Sequence, residues 1–162
     1  LWHSLDNICN QNKEFDNKLE IHLSGNIDQK VIEEIQSYTN LRGKLKILGY
    51  LSHAEVVKQY NQVDLLLLLL FNSKSGIGNY PGKIFEYFAT CKPIIAFGPK
   101  NSDTQKLIKQ TNSGVYFTYE EKDLEEEILN FYNSKENVDI KDLDRFSREK
   151  LTENLAALLN RL

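Results

Sequence analysis

The sequence predicts an α/β fold built on a doubly wound parallel sheet. Two hydrophobic periods alternate along the 162 residues, one typical of helices and the other typical of strands. Every residue from 65 to 71 is apolar, as expected for a strand in the middle of a parallel sheet, where both faces are buried. The chain is long enough to bury one substantial core, so residues 1–162 predict one domain.

The first half of the chain predicts three helices that alternate with three strands. The strands are predicted over residues 18–24, 44–48 and 65–71. Apolar residues at helical spacing predict the helices: Trp2, Leu5, Ile8 and Cys9 within residues 1–12, then Val31, Ile32, Ile35 and Tyr38, and finally Val56, Val57 and Tyr60. Ser52 and Glu55 form a capping-box pattern at the start of the third helix. Because the chain opens on a helix, we expect the first strand of the domain to precede Leu1.

The second half continues the same alternation. A loop over residues 72–80 leads to a helix over 81–90 and a strand over 93–97. Ser102 and Gln105 form a second capping box, which opens a helix that carries Leu107 and Ile108. A helix stop at 112–114 precedes a strand over 115–118. Two closing helices are predicted over 120–132 and 146–162, with a polar connection over 134–144 and a leucine stripe on the second helix, namely Leu151, Leu155, Leu158 and Leu159.

Composition and residue spacing do not support several classes of partner or site. The net charge is −3, which does not favour nucleic acid or an anionic membrane as the main partner. The longest apolar run, residues 65–71, is far too short for a transmembrane segment. Cys9 and Cys91 lack the spacing of zinc ligands and lie far apart, so both are expected to be free thiols.

The loop over residues 72–80 has the position of a ligand site. It follows the buried strand, and ligands of open parallel sheets collect beyond the carboxyl ends of the strands. It contains Gly76 and Gly78 and leads to a helix that we expect to begin at Pro81, a favourable residue at the first helical position. The start of such a helix suits a phosphate group.

Two common phosphate-binding motifs are absent from this loop. The glycines are spaced one residue too far apart for the dinucleotide fingerprint, and they follow a late strand. Gly82-Lys83 is followed by Ile84, and Ile77 stands where the first glycine of a Walker motif belongs. The sequence therefore argues against a dinucleotide site and against an ATPase.

Lys83 and Glu86 lie outside the predicted core face of the helix. Ile84, Phe85, Phe88 and Ala89 group on one side at about 100° per residue, whereas Lys83, Glu86, Tyr87 and Thr90 share the opposite arc. Two interpretations remain open from residue types alone. In the first, Lys83 and Glu86 form a surface ion pair at i, i+3; in the second, they lie at the edge of a ligand site.

The segment PGKIFEYFATCKPIIAFGP, residues 81–99, closely resembles P-S-K-L-F-E-Y-L-A-x-G-K-P-I-I-A. That pattern is found in the carboxyl-terminal, donor-binding domain of retaining GT-B glycosyltransferases of family 4. The surrounding segments IHLSGN, LGYLSHAEVVKQYNQVDLLLLL, SGVYF and FSREKLTENLAALLNRL are also similar to that domain, so the resemblance covers essentially the whole chain. It implies a Rossmann-like half of a GT-B fold, with the amino-terminal acceptor domain outside residues 1–162.

The resemblance implies a set of donor-binding residues. A glutamate at the position of Glu86 holds the ribose hydroxyls of a nucleotide sugar, because an ionised carboxylate offers acceptors to two adjacent hydroxyls. The loop and helix start would lie beside the donor sugar and diphosphate, and the loop after the second strand would face the base. These segments contain Gly78, Asn79, Tyr80, Pro81, Gly82 and Lys83, and Gly49, Tyr50 and Leu51, respectively.

The chain departs from the family pattern at two places. The family motif E-x7-E has a further glutamate at the position of Gly78, and its absence weakens the assignment of the sugar more than that of the nucleotide. The family's basic pair, which neutralises the leaving diphosphate, follows the first strand and would therefore precede Leu1. No residue of this chain is assigned a catalytic role.

The leading hypothesis is the donor-binding half of a retaining glycosyltransferase, which binds nucleotide without turnover by itself. The partners implied are a nucleoside-diphosphate sugar and, through the other domain, a glycan or lipid-linked acceptor. No cofactor and no metal are expected, because no carboxylate cluster of the D-x-D kind stands in a suitable position. By analogy the protein would work in bacterial polysaccharide biosynthesis, in the cytoplasm or at the inner face of the membrane. The alternatives are a degenerate transferase domain that serves as a binding module, and a GT-B-fold nucleotide-sugar epimerase.

Overall fold

The computed structural model describes residues 1–121, 124–134, 140, 141 and 143–161, and it confirms the α/β class. In chain order the elements are α1 (Trp2–Gln11), α2 (Lys13–Lys18), β1 (Ile21–Leu23), α3 (Gln29–Ser37), β2 (Leu45–Ile47), α4 (His53–Gln62), β3 (Leu66–Leu69), α5 (Lys74–Ile77), α6 (Lys83–Phe88), β4 (Ile94–Gly98), α7 (Asp103–Thr111), β5 (Gly114–Thr118), α8 (Leu124–Ser134), a 3-10 helix (Leu143–Phe146) and α9 (Arg148–Leu159).

The strands are parallel, as predicted, but they form two sheets rather than one. β1 pairs with β2, with Ile21 opposite Leu45. In the other sheet the strand order is β3-β4-β5, with Leu66 opposite Ile94 and Ile94 opposite Gly114. The chain divides accordingly into two compact units. Unit 1 comprises Leu1–Gln59 with α8, and unit 2 comprises Tyr60–Glu121 with the described residues from 140 to 161.

Unit 1 has its core between its helices and the two-stranded sheet. Of the four apolar residues predicted for α1, Leu5, Ile8 and Cys9 are buried and Trp2 is half-buried. They are joined by buried side chains of α2, β1, α3, the turn after α3, and α8, namely Phe15, Ile21, Ile35, Leu41, Leu124 and Ile128. The sequence analysis missed α2. The side chain of Asn12 caps this helix by accepting hydrogen bonds from the backbone N–H groups of Glu14 and Phe15, both at 3.1 Å.

Unit 2 has its core on the three-stranded sheet. The buried cluster on this sheet is formed by side chains of β3, α6, β4 and α7 together with Leu70 and Ile140, namely Leu66, Leu68, Leu70, Ile84, Tyr87, Phe88, Ile94, Ala96, Leu107, Ile108 and Ile140. The strand over residues 65–71 was expected to be buried on both faces, and this is wrong for its second half, because Leu69 is 60% exposed and Phe71 80% exposed. β3 lies at one end of its sheet, and its alternate residues Leu66, Leu68 and Leu70 face the core.

The end of the chain differs from the prediction in detail. α8 begins at Leu124 and α9 at Arg148, each later than expected. The four leucines of the predicted stripe on α9 are each more than half exposed. Residues 135–139 and 142 of the predicted polar connection, and Leu162 of the last helix, lie outside the described residues. Within the described part of the chain, no helix has the length and apolar character needed to cross a membrane.

Candidate functional site

The segment between β3 and α6, predicted as a loop, contains the short helix α5. Two glycines of this segment, Gly76 and Gly78, differ in their surroundings. Gly76 is buried, and a Cβ there would lie 2.2 Å from the carbonyl oxygen of Phe71, so only glycine fits. Gly78 is exposed, has a φ of −91°, and has no atom within 4 Å of the position of a Cβ. A side chain at residue 78 therefore has room.

α6 begins at Lys83, two residues later than the predicted start at Pro81. Gly82 is the N-cap residue, and the first turn is tight because Ile84 donates its N–H to the carbonyl of Pro81 at 3.0 Å. Gly82 and Lys83 are exposed, whereas Pro81 and Asn79 are half-buried. The ring of Tyr80 is 50% exposed. The helix start thus presents backbone and one lysine toward solvent.

The buried face of α6 is formed by Ile84, Tyr87 and Phe88. Tyr87 was predicted on the polar arc and Phe85 and Ala89 on the core face, and these three predictions are wrong. Tyr87 turns inward because its hydroxyl finds a partner there, donating a hydrogen bond to the carbonyl of Leu67 at 3.2 Å. Phe85 instead remains 39% exposed and lies near Phe146, with ring centroids 5.7 Å apart.

Glu86 lies half-buried on α6, beside a pair of tyrosines, while Lys83 is exposed. The rings of Tyr60 and Tyr87 meet edge to face, with centroids 4.9 Å apart. Burial raises the pKa of both tyrosine hydroxyls, and the negative charge of Glu86 raises each pKa further. Both tyrosines are therefore neutral at physiological pH.

The loop before α6 is fastened to α7. The hydroxyl of Thr104 donates a hydrogen bond to the carbonyl oxygen of Asn79 at 2.6 Å. Thr104 is fully buried in the first turn of α7. No signal in the sequence pointed to this contact, because it joins two segments 25 residues apart.

The three residues predicted to face the base, Gly49, Tyr50 and Leu51, follow β2 in unit 1. Gly49 has a φ of +66°, a conformation that favours glycine, and its carbonyl accepts a hydrogen bond from the N–H of Gly25 at 2.7 Å. Tyr50 is 92% exposed, so its ring is not used for packing. Leu51 is half-buried.

A cleft of about 280 Å³ opens at the carboxyl ends of β3, β4 and β5, within unit 2. It was not predicted, and none of the predicted donor-binding residues lines it. Its lining comes from the segments that follow the three strands: Asn72, Gly98, Pro99, Lys100, Thr118, Tyr119, Glu120 and Glu121. The sequence could have indicated this cleft, because its lining segments each follow a predicted strand, and the ends of parallel strands meet at one edge of a sheet.

The predicted site residues thus fall into two groups. Gly78, Asn79, Tyr80, Pro81, Gly82, Lys83 and Glu86 lie in unit 2, between the end of β3 and the middle of α6, and Gly49, Tyr50 and Leu51 lie in unit 1. Among the residues that the structure describes, no three His, Cys, Asp or Glu side chains are grouped as metal ligands.

Comparisons with known proteins give one informative result. No protein-family model and no curated protein matches the chain. Among solved structures, the fold is similar to the crystal structure of Anabaena Alr3699/HepE in complex with UDP, with a TM-score of 0.65 and 19% sequence identity. The match covers 99% of this chain and 45% of the HepE chain, so this chain spans less than half the length of that protein. The chain therefore has an α/β, Rossmann-like fold that is shared with part of a UDP-bound protein.

Proposed function

We propose that this chain is the nucleotide-sugar-binding, or donor, domain of a retaining GT-B glycosyltransferase of family 4. The observation that carries the proposal is the fold shared, over 99% of the chain, with a protein solved in complex with UDP. The resemblance of residues 81–99 to the family's donor-binding segment supports it independently, because that resemblance rests on side chains rather than on the fold.

Glu86 is the residue that we assign to the nucleotide. A carboxylate accepts hydrogen bonds from both hydroxyls of a ribose, and such charge-assisted bonds are among the stronger ones in proteins. Glu86 is half-buried, so part of its surface is shielded from water and part is open to a ligand. The neighbouring Tyr60 and Tyr87 stay neutral, which leaves the carboxylate with no competing anion from either of them.

The remaining predicted residues take supporting roles in the proposal. The segment from Asn79 to Lys83 would lie beside the donor sugar and diphosphate, where the Lys83 ammonium contributes positive charge. In the reaction, the bond between the anomeric carbon and the diphosphate oxygen breaks and the nucleoside diphosphate leaves with the electron pair. The oxygen of an acceptor hydroxyl bonds to the anomeric carbon with retained configuration, and its proton passes to the leaving diphosphate.

The proposal assigns the acceptor to another domain. A glycan or lipid-linked sugar would bind through an amino-terminal domain, so this chain alone binds the donor without turnover. We further propose a role in bacterial polysaccharide biosynthesis, in the cytoplasm or at the inner face of the membrane, with no metal and no other cofactor.

Nucleotide titrations followed by NMR of the isotopically labelled chain test the proposal. Addition of UDP, GDP and ADP in turn is expected to shift amide signals of residues 79–86 for one of the three nucleotides. Glu86→Gln removes the charge with little change of shape, and we expect it to weaken binding about ten-fold, as the loss of a charge-assisted contact implies. Glu149→Gln, at an exposed position of α9 in the same unit, is the matched control and should leave affinity unchanged.

The proposal fails if none of the three nucleotides shifts any signal near Glu86. It also fails if Glu86→Gln and the control weaken binding equally, since the effect would then reflect net charge alone.

A degenerate transferase domain is the second candidate, and Gly78 is the observation that favours it. The family motif has a glutamate at this position, and the open space around Gly78 shows that the fold itself does not require glycine there. A glycosyl-transfer assay of the full-length parent protein separates the two candidates. Turnover identifies an enzyme. Nucleotide binding without turnover identifies a binding module, whether or not Gly78→Glu then gains turnover.

A further inference from the structure

We propose that Thr104 is a positioning residue that fixes the loop from Asn79 to Lys83 for the diphosphate end of the ligand; this rests on the proposed function. Thr104 acts through the carbonyl of Asn79, to which its hydroxyl donates at 2.6 Å. Fixing that carbonyl fixes the peptide between Asn79 and Tyr80, and hence the direction in which the chain enters α6.

The burial of Thr104 makes this contact obligatory. The side chain is 0% exposed, so its hydroxyl has no access to bulk water. A buried hydroxyl without a partner costs free energy, and the carbonyl of the loop supplies that partner. If the loop moved away from α7, the hydroxyl would lose its acceptor. The hydrogen bond therefore favours one position of the loop.

A second buried threonine on the same helix shows that this arrangement is not the usual one. Thr111 is also 0% exposed, but its hydroxyl donates to the carbonyl of Leu107 at 2.8 Å, four residues earlier in the same helix. This is the common way in which the hydroxyl of a threonine within a helix finds a hydrogen-bond acceptor. Thr104, in contrast, reaches a separate segment of the chain.

The start of α7 is itself held in place, so that Thr104 is a fixed support. Ser102, the N-cap residue, accepts a hydrogen bond from the N–H of Gln105 at 3.0 Å and donates one to the hydroxyl of Tyr116 at 2.8 Å. Tyr116, on β5, donates in turn to the carbonyl of Pro99 at 2.9 Å. These bonds tie the first turn of α7 to the middle of β5 and to Pro99, the residue after β4. A binding loop held by such a support is preorganised for its ligand.

In the segment from Phe71 to Gly76, which precedes the loop, three hydrogen bonds are local. Ser73 donates its N–H to the carbonyl of Phe71, and Gly76 donates its N–H to the carbonyl of Ser73, each at 2.9 Å. The hydroxyls of Ser73 and Ser75 bond to each other at 2.8 Å. These bonds shape the turn around α5. The bond from Thr104, in contrast, attaches Asn79, at the start of the loop, to α7.

Four proteins test the proposal by NMR relaxation of the full chain without any ligand: the wild type, Thr104→Val, Thr104→Ser and Thr111→Val. Valine keeps the volume and removes the hydroxyl, whereas serine keeps the hydroxyl and loses a methyl group. We expect the amide order parameters of Tyr80, Gly82 and Lys83 to fall in Thr104→Val from the rigid range, about 0.85, toward the flexible range below about 0.6. They should stay rigid in Thr104→Ser and in Thr111→Val.

UDP titration of the same four proteins gives the functional readout. Thr104→Val should weaken binding about five-fold, the effect of one hydrogen bond, and Thr104→Ser should restore it even though loss of the methyl group lowers Tm. If Thr104→Val lowers Tm as Thr111→Val does and leaves the loop rigid, Thr104 is only a core residue and the proposal is overturned. If Thr104→Val does not fold, Thr104→Ala takes its place, and the same measurements of Tm, order parameters and UDP affinity decide.

The two proposals fail in different ways. Absence of UDP binding by the wild type would contradict the proposed function, while the order parameters measured without ligand still decide whether Thr104 fixes the loop.

Discussion

Two glycines in the loop before α6 have opposite structural roles. Gly76 is packed against the backbone of Phe71, and a methyl group there would overlap with a carbonyl oxygen at 2.2 Å. Gly78 has open space and a negative φ, so any residue is accommodated. The glycine that departs from the family motif is thus the one that the fold does not need.

Gly76→Ala and Gly78→Ala should therefore differ in stability. We expect Gly76→Ala to cost about 1–3 kcal/mol, as overpacking of a tight site does. Gly78→Ala should be neutral or stabilise the protein by up to about 1 kcal/mol, because it restricts the unfolded chain. Chemical denaturation of both variants checks this, and an equal loss in the two would contradict the packing described for Gly76.

The two cysteines are both free, as predicted, but their surroundings differ. Cys9 is 0% exposed on α1, and burial, followed by the nearby charge of Asp16, raises the pKa of its thiol to about 11. Cys91 is half-buried. The thiolate is the reactive form, so Cys9 is protected both by access and by its pKa.

At pH 8 we expect iodoacetamide to modify Cys91 much faster than Cys9 in the folded chain. Mass spectrometry of alkylated peptides measures both rates of modification, with Cys91→Ser as the control. Equal rates would show that Cys9 is not buried.

The Cys9 thiol also makes the free energy of unfolding depend on pH. Since the pKa of Cys9 is higher in the folded state than its ordinary value of 9.0, the protonated thiol favours folding. That contribution is present below about pH 9 and is lost as the pH rises through about 11.

At the scale of elements, the end of α6 carries a strained residue. Cys91 follows the helix with a φ of 53°, in the left-handed region, and it occupies the position at which the family segment has glycine. Asn101 and Asn112 share this conformation, but asparagine tolerates it better than cysteine does. Cys91 thus lies in the turn after α6, two residues beyond the C-cap Ala89.

Cys91→Gly should therefore stabilise the protein by about 0.5–1 kcal/mol, the strain released less the entropy that glycine adds to the unfolded chain. Cys91→Ala is the control, because it removes the thiol and keeps the Cβ that causes the strain. Thermal unfolding should show a rise in Tm for glycine only. A rise of the same size for alanine would mean that the thiol, and not the backbone, is unfavourable.

The elements were predictable to the extent that they depend on local pattern. The capping box of α4 is present, with the N–H of Ser52 donating to the carboxylate of Glu55 at 2.8 Å, and the apolar face of α1 is buried. The buried face of α6 was not predicted, because the inward turn of Tyr87 depends on an acceptor from β3 that sequence spacing does not reveal. The same holds for Thr104, whose partner lies on another segment.

At the scale of the whole molecule, the class of fold was predictable and the division of its strands was not. Alternating periods gave the α/β class, and the similarity to HepE supports it over 99% of the chain. Which strands pair, however, depends on contacts between distant segments, and the two sheets β1-β2 and β3-β4-β5 left no local mark in the sequence. For the site, the identity of Glu86 came from the family resemblance. Its half-burial and its tyrosine neighbours came from the structure.

The central claim is that the carboxylate of Glu86 binds the ribose hydroxyls of a nucleoside diphosphate. The most direct test is a calorimetric measurement of Kd for UDP and for 2′,3′-dideoxy-UDP, each with the wild type and with Glu86→Ala. We predict that removal of the hydroxyls weakens binding to the wild type about ten- to hundred-fold, the range for hydrogen bonds to a charged group. In Glu86→Ala the two ligands should bind almost equally, because the acceptor is already gone. An equal loss in both proteins would contradict the claim, since the ribose would then be recognised by other residues.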